Sequence, residues 1–240
     1  MTTDIPTNEM LRLENLHSYE ILDTPSDGAF DDLTLIATEV FGVPIAIVSL
    51  VDENRIWFKS AHGLDGTRQI DRGPGLCASA IISNDLYIAS DLRRDPNSLA
   101  NPLVARDNGF RFYAAIPLTS PKGYNLGTFC IIDKVPRDFP EKHKTLLKCF
   151  GRLVMSQLEQ RLSSREIASL AVSVSQSNKL LSYAANHDPL TGLLNRRSIS
   201  LRMSELGRFE SNNGNAVLLL DVDDFKFIND THGHAVGDLV

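Results

Sequence analysis

The chain is short of the residues that staple, anchor or electrostatically attach a protein. Its three cysteines, Cys77, Cys130 and Cys149, are odd in number and widely spaced, which argues against both a disulfide framework and a zinc site. Long apolar runs are missing. The longest, Val43–Val51, falls far short of the roughly 20 residues that a membrane helix needs. The N-terminus, Met1-Thr-Thr-Asp-Ile-Pro6, has no basic stretch and no apolar stretch of the kind that directs secretion, so a cytoplasmic location is expected, with no membrane partner. Positive charge is in deficit, with 24 Lys and Arg against 30 Asp and Glu and a net charge of −6. No basic stripe follows any predicted helix, which argues against a nucleic-acid partner. The single tryptophan, Trp57, lies in a predicted strand and is expected to line a sheet. What remains is ordinary globular material: 240 residues, 42% hydrophobic and 22% charged, enough for one large or two modest domains.

Proline and glycine are unevenly distributed, and that divides the chain. Before Pro140 they punctuate short elements. An amphipathic helix over residues 8–22 ends at Asp23-Thr-Pro25. Ser26 reads as the N-cap of a second helix, with Phe30, Leu33, Ile36, Ala37, Val40 and Phe41 at helical spacing and Gly42 as the stop. Strands are predicted at Ile45–Val51 and Ile56–Ser60, joined by Asp52-Glu-Asn54 into an antiparallel hairpin. A glycine-rich loop over 63–75 is followed by a short helix, Leu76–Ile82, a short strand, Leu86–Ala89, and a polar loop to about Gly109. Two more strands, Arg111–Leu118 and Leu126–Ile132, flank the turn Pro121-Lys-Gly-Tyr-Asn125. This part is α+β, with a mainly antiparallel sheet and helices against it.

From Pro140 to Pro189 there is no further proline, and Gly151 is the only glycine. Leu147, Phe150 and Val154 follow helical spacing. Ile167, Leu170, Val174, Ser177, Leu181 and Ala184 follow it again, in a register shifted by one residue. One reading is a continuous helix roughly 70 Å long at 1.5 Å per residue, paired with its twin in a second copy through the apolar seam. The other is two helices with a loop near Ser163-Ser164. His187-Asp-Pro-Leu-Thr-Gly192 breaks the run, a helix follows over Asn195–Phe209, and an apolar strand, Ala216–Leu220, leads into Asp221.

The acidic segment Asp221-Val-Asp-Asp-Phe-Lys-Phe-Ile-Asn-Asp230 carries the chemistry. Magnesium or manganese takes oxygen ligands and keeps several waters, so the Asp221 carboxylate and the Val222 carbonyl suit it, with substrate phosphates completing the shell. Backbone N–H groups near Phe225 and Lys226, and the Lys226 ammonium, suit a phosphate. Asn229 and Asp238 are of the type that reads a guanine edge. Asp223 or Asp224 reads as a helix N-cap rather than as a ligand. His232 and His234 flank a glycine and read as turn residues rather than as a metal pair.

Three blocks in order, Asp188-Pro-Leu-Thr-Gly-Leu-Leu-Asn-Arg-Arg197, Asp221–Asp230 and Gly233-His-Ala-Val-Gly-Asp238, resemble the N-terminal half of a GGDEF domain, the α/β diguanylate cyclase domain that joins two GTP molecules into cyclic di-GMP. The resemblance implies metal contacts at Asp221 and Val222, phosphate contacts at Phe225 and Lys226, and guanine contacts at Asn229 and Asp238. It also implies GTP as substrate and a homodimer. The Gly-Gly-(Asp/Glu)-Glu-Phe signature does not occur in the chain, so catalysis by this stretch alone is not expected. Residues from about Ile21 to Leu162 resemble a GAF domain through Leu22-Asp-Thr-Pro25, Phe41-Gly-Val-Pro44, Val48-Ser-Leu-Val-Asp52, Trp57-Phe-Lys-Ser60, Phe112-Tyr-Ala-Ala-Ile-Pro-Leu118 and Leu126-Gly-Thr-Phe-Cys-Ile-Ile-Asp133. That resemblance implies an unidentified small-molecule ligand. Cys77-Ala-Ser79 stands where many relatives have Cys-Ala-His, which weakens a redox or metal reading there. Cys77 remains a candidate sensor thiol, and Cys130 reads as packing.

The expected organisation is an N-terminal helix (1–20), a GAF domain (21–140), a helical linker expected to be a coiled coil (141–187) and GGDEF sequence (188–240). A GAF-regulated diguanylate cyclase is the reading this favours. A non-catalytic GAF sensor or dimerisation protein is its rival, and a thiol-dependent free-methionine-sulfoxide reductase is a third reading.

Overall fold

The structure, a computed structural model, describes residues 5–64, 66–73, 75–95, 98, 101–106, 109–206 and 218–240. It divides into two units, 1–166 and 167–240.

The first unit is built on one antiparallel sheet of six strands in the order β3-β2-β1-β6-β5-β4. In chain order the strands are β1 (Ile45–Val51), β2 (Arg55–His62), β3 (Gln69–Asp71), β4 (Tyr87–Ala89), β5 (Phe112–Thr119) and β6 (Asn125–Asp133). β1 and β6 occupy the centre and are buried along their whole length, because both faces of the sheet are covered. Alternation sorts their side chains. Ala46, Val48, Leu50, Phe129 and Ile131 join one core with α1 (Glu9–Ser18), α2 (Gly28–Phe41) and the start of α5 (Glu141–Asn186). Ile45, Ile47, Val51, Cys130 and Ile132 join a second core with α3 (Leu76–Ala80) and Val104 of α4 (Pro102–Ala105). Trp57 is buried in the first core, as expected of a sheet-lining residue.

Local chemistry sets the helix ends. Asp27, rather than Ser26, is the N-cap of α2, and its carboxylate accepts from the Ala29 N–H at 3.3 Å. Ser26 instead donates to Asp31 at 2.5 Å. Gly42 closes α2 in the left-handed conformation that glycine adopts without strain. α5 is unbroken from Glu141 to Asn186, with no loop near Ser163-Ser164. Its Leu147, Phe150, Val154 and Leu158 seat on the sheet, and the Phe150 ring stacks on Phe129 with centroids 5.1 Å apart. From Ile167 onward its apolar positions are exposed: Ile167 67%, Leu170 65%, Val174 58%, Leu181 68%.

The second unit contains the C-terminal part of α5, then α6 (Arg196–Leu206), α7 (Phe225–His232) and α8 (His234–Gly237). One expectation is corrected here. Residues 216 and 217 of the predicted strand Ala216–Leu220 lie outside the described residues, and 218–220 are in no strand. A strand needs a hydrogen-bonded neighbour, and the described residues supply none beside it. Leu218, Leu219 and Leu220 are accordingly 82%, 92% and 81% exposed. The predicted helix Asn195–Phe209 is seen to Leu206, and its last three positions fall outside the described residues.

Candidate functional site

Two places bring functional side chains together, one in each unit. In the first, a cavity of about 110 Å³ opens on the second core. Its walls include Ile47, Phe58, Leu76, Phe110, Cys77 and Tyr113. α3 presses Cys77 onto the sheet, where the Tyr113 hydroxyl donates to its sulfur at 3.4 Å. Cys77 and Cys130 lie in one buried cluster where α3 packs on β6. Ser49 and Thr128 face each other across β1 and β6, with their hydroxyls 2.8 Å apart. Cys130, against the cost of burial, pulls the Cys77 thiol below its ordinary range, helped by Ser49, Tyr113 and Thr128. Cys130 itself is pushed up, first by Cys77 and then by burial. Burial, followed by the neighbouring sulfurs, likewise raises Tyr113. Sequence reasoning singled out Cys77 and missed Cys130. The only available signal was that Cys130 alternates with Thr128 and Ile132 on one sheet face.

In the second unit, Asp188 begins a tight junction. Its carboxylate accepts from the N–H groups of Leu190 (3.1 Å) and Thr191 (3.0 Å) and from the Thr191 hydroxyl (3.0 Å). The Thr191 bonds, with Leu190 adding to them, hold the acid below the ordinary carboxylate range. Gly192 takes a positive φ of 69°. Asn195 then works in both directions: its amide donates to the Ala185 carbonyl of α5 at 2.8 Å, and its oxygen accepts from Ser198 N at 3.0 Å. This ties the last turn of α5 to the first turn of α6. Leu190 and Leu193, by contrast, remain exposed.

Asp221 and Val222 lead into α7 and are exposed. Among the described residues the Asp221 carboxylate accepts from the adjacent Val222 N–H, at 3.1 Å. Asp224 holds the N-cap position with φ 54° and makes no side-chain cap bond, so the cap expectation is met in place but not in bonding. The first-turn N–H groups at Phe225 and Lys226 have no partner within the helix. Gly233 ends α7 at φ 84°, its N–H donating to the Asn229 carbonyl at 2.9 Å. α8 then folds back, and Gly237 meets the Asn229 side chain so closely that a Cβ there would strike the amide oxygen. Asn229 is thereby held against Gly237, the residue before Asp238. The donor set at Asp221 and Val222 is oxygen only, which suits a hard divalent cation. One carboxylate and one carbonyl are too few to hold it without substrate oxygens. No group of three or more Asp, Glu, His or Cys side chains gathers as a metal cluster among the described residues.

Comparison with known proteins matches both units. The model of the GAF domain family covers residues 26–158, more than half of the chain, and the chain belongs to that family. The model described as diguanylate cyclase, GGDEF domain, matches residues 185–240. Among curated proteins, the chain is 35% identical over 167 residues to a cyclic di-GMP phosphodiesterase of Pseudomonas aeruginosa, covering 69% of this chain and 28% of that protein. It is 28% identical over 166 residues to the diguanylate cyclase DgcP of Escherichia coli, covering 68% of this chain and 46% of that protein. The chain thus spans less than half the length of these relatives. Among solved structures it is similar to the GAF domain of an Acinetobacter phosphoenolpyruvate-protein phosphotransferase, at 15% identity and a TM-score of 0.44, covering 66% of this chain and 97% of that one. No helix of the described residues is long and apolar enough to cross a membrane.

Proposed function

We propose that the chain is the sensory and nucleotide-binding part of a GAF-regulated diguanylate cyclase, a cyclic di-GMP signalling protein. The observation that carries this is the packing of Asn229 against Gly237, the residue before Asp238, directly behind an acidic entry to α7, within a segment matched by the GGDEF model. In this reading Asn229 and Asp238 take the guanine edge, and the first-turn N–H groups at Phe225 and Lys226, with the Lys226 ammonium, take phosphate oxygens. Asp221 and the Val222 carbonyl would hold magnesium or manganese, which when bound would supply Lewis-acid activation of the phosphate. Cyclisation needs two GTP sites facing each other, which requires two copies of the chain. The GAF cavity takes the small-molecule signal, and α5 connects the two units.

The test is magnesium-dependent GTP binding by calorimetry. GTP is expected to bind in preference to ATP. Asp221→Asn should weaken the magnesium-dependent affinity by about tenfold or more, the loss of one charge-assisted contact. Asn229→Ala and Asp238→Ala should erase the preference for guanine. Equal affinity for GTP and ATP would remove the guanine assignment, and an unaltered Asp221→Asn would remove the metal ligand. In a protein that joins this chain to a Gly-Gly-(Asp/Glu)-Glu-Phe segment, Asp221→Asn should abolish cyclic di-GMP formation while the fold persists. The rival reading is a non-catalytic sensor, in which the GAF domain and α5 are the working parts. A chain that binds no GTP would favour it.

A further inference from the structure

Two thiols and three hydroxyls converge at one point of an otherwise apolar core, and packing alone does not require them. Alanine or valine would fill such positions on β1 and β6 without buried donors to satisfy. The Ser49 and Thr128 hydroxyls pair with each other at 2.8 Å and sit beside the sulfurs, and Tyr113 reaches Cys77 at 3.4 Å. Cys77 and Cys130 lie in one buried cluster, where α3 packs on β6. Buried thiols are ordinarily inert because oxidants cannot reach them. Here Cys77 borders a cavity of about 110 Å³. A water needs only about 10–15 Å³ of such space, so a molecule as small as hydrogen peroxide fits.

We propose that Cys77 and Cys130 are a redox pair that a small peroxide, entering this cavity, converts to a reversible disulfide within the GAF core. Cys77, bordering the cavity, attacks as the thiolate that its hydrogen-bond donors stabilise. Its sulfur takes one peroxide oxygen as the O–O bond breaks, leaving a sulfenic acid and releasing water or, from an organic peroxide, an alcohol. The Cys130 sulfur then attacks the Cys77 sulfur. The S–S bond forms, and the sulfenic hydroxyl leaves as water with the Cys130 proton. Two thiols lose two electrons and the peroxide gains them; a dithiol reductant returns them. Cys149, half-buried on α5 and in contact with the Arg152 guanidinium at 3.1 Å, lies outside this group and serves as an internal control.

The experiment treats the purified chain with hydrogen peroxide, unfolds it in the presence of an alkylating agent and maps the digest by mass spectrometry. A cross-linked peptide pair holding Cys77 and Cys130 is expected. It should be abolished by dithiothreitol and preserved in Cys149→Ala. In Cys130→Ser the reaction should stop at a Cys77 sulfenic acid that dimedone traps. Full alkylation of both thiols after peroxide, or oxidation confined to Cys149, overturns the proposal. The decisive mapping uses the unaltered chain, so a variant that fails to fold does not obscure it. Nucleotide binding is read separately, so either assignment can fail without the other.

Discussion

At the scale of single residues, one carboxylate ties α1 to the loop that follows β3. Glu9 accepts from Arg12 at 2.8 and 2.7 Å and from Arg72 at 2.5 Å, and the Arg72 guanidinium also reaches the Asp52 carbonyl at 3.1 Å. Burial acts to raise the Glu9 acid, but the two arginines outweigh it and hold it at about 2. A carboxyl depressed in the folded state contributes stability above its unfolded value, near 4.5, and that contribution is lost as pH falls through about 2. Urea midpoints should therefore decline between those two values. Glu9→Gln should lower stability at neutral pH by about 1–3 kcal/mol, since it leaves Arg12 buried without its charge partner, and should flatten the acid slope. An acid slope identical in the two proteins would remove Glu9 as its source. None of this network was legible in the sequence, where Glu9 and Arg12 are simply neighbours on a helix and Arg72 lies in a glycine-rich loop. The juxtaposition of Cys77 and Cys130 was hidden for the same reason: it exists only once α3 is laid on β6.

At the scale of elements, the sheet was largely legible. β1, β5 and β6 are apolar runs bounded by turn residues, and burial on both faces makes such runs continuous. The elements missed were the smallest. β3 has three residues with no apolar alternation beyond Ile70, and α4 has four, too few for any period to show. The strand expected at 216–220 failed for the opposite reason: an apolar run is only half of a strand, and its partners are the other half. Pairing also explains Gly127. It stands opposite Leu50, and a Cβ there would run into the Ser49 backbone carbonyl. Backbone cannot swing aside as a side-chain tip can. Gly127→Ala should therefore cost at least about 2 kcal/mol, measured as a loss in the urea midpoint at constant m-value. A change within error would mean that the two central strands separate freely at that point.

At the scale of the whole molecule, the question is what covers the outer half of α5. Helices in water are held by packing along an apolar stripe rather than by their own hydrogen bonds. Up to Leu158 that stripe is seated on the sheet. From Ile167 it continues through Leu170, Val174 and Leu181, each more than half exposed, on a helix about 69 Å long overall at 1.5 Å per residue. The same stripe in a second copy is a self-complementary partner, and pairing at these positions is the geometry that a two-fold coiled coil uses. The register shift that the sequence shows between Val154 and Ile167 is what such a pairing would require: the first seam faces the chain's own sheet, and the second would face another chain. The chain should therefore sediment as a dimer, and Leu170→Glu combined with Leu181→Glu should yield monomers. GAF stability should be unchanged in that variant, because both residues lie outside the first unit. A wild-type chain that stays monomeric across the concentration range of sedimentation velocity would remove the paired helix. With it would go the simplest way for the GAF cavity to govern how two nucleotide sites meet.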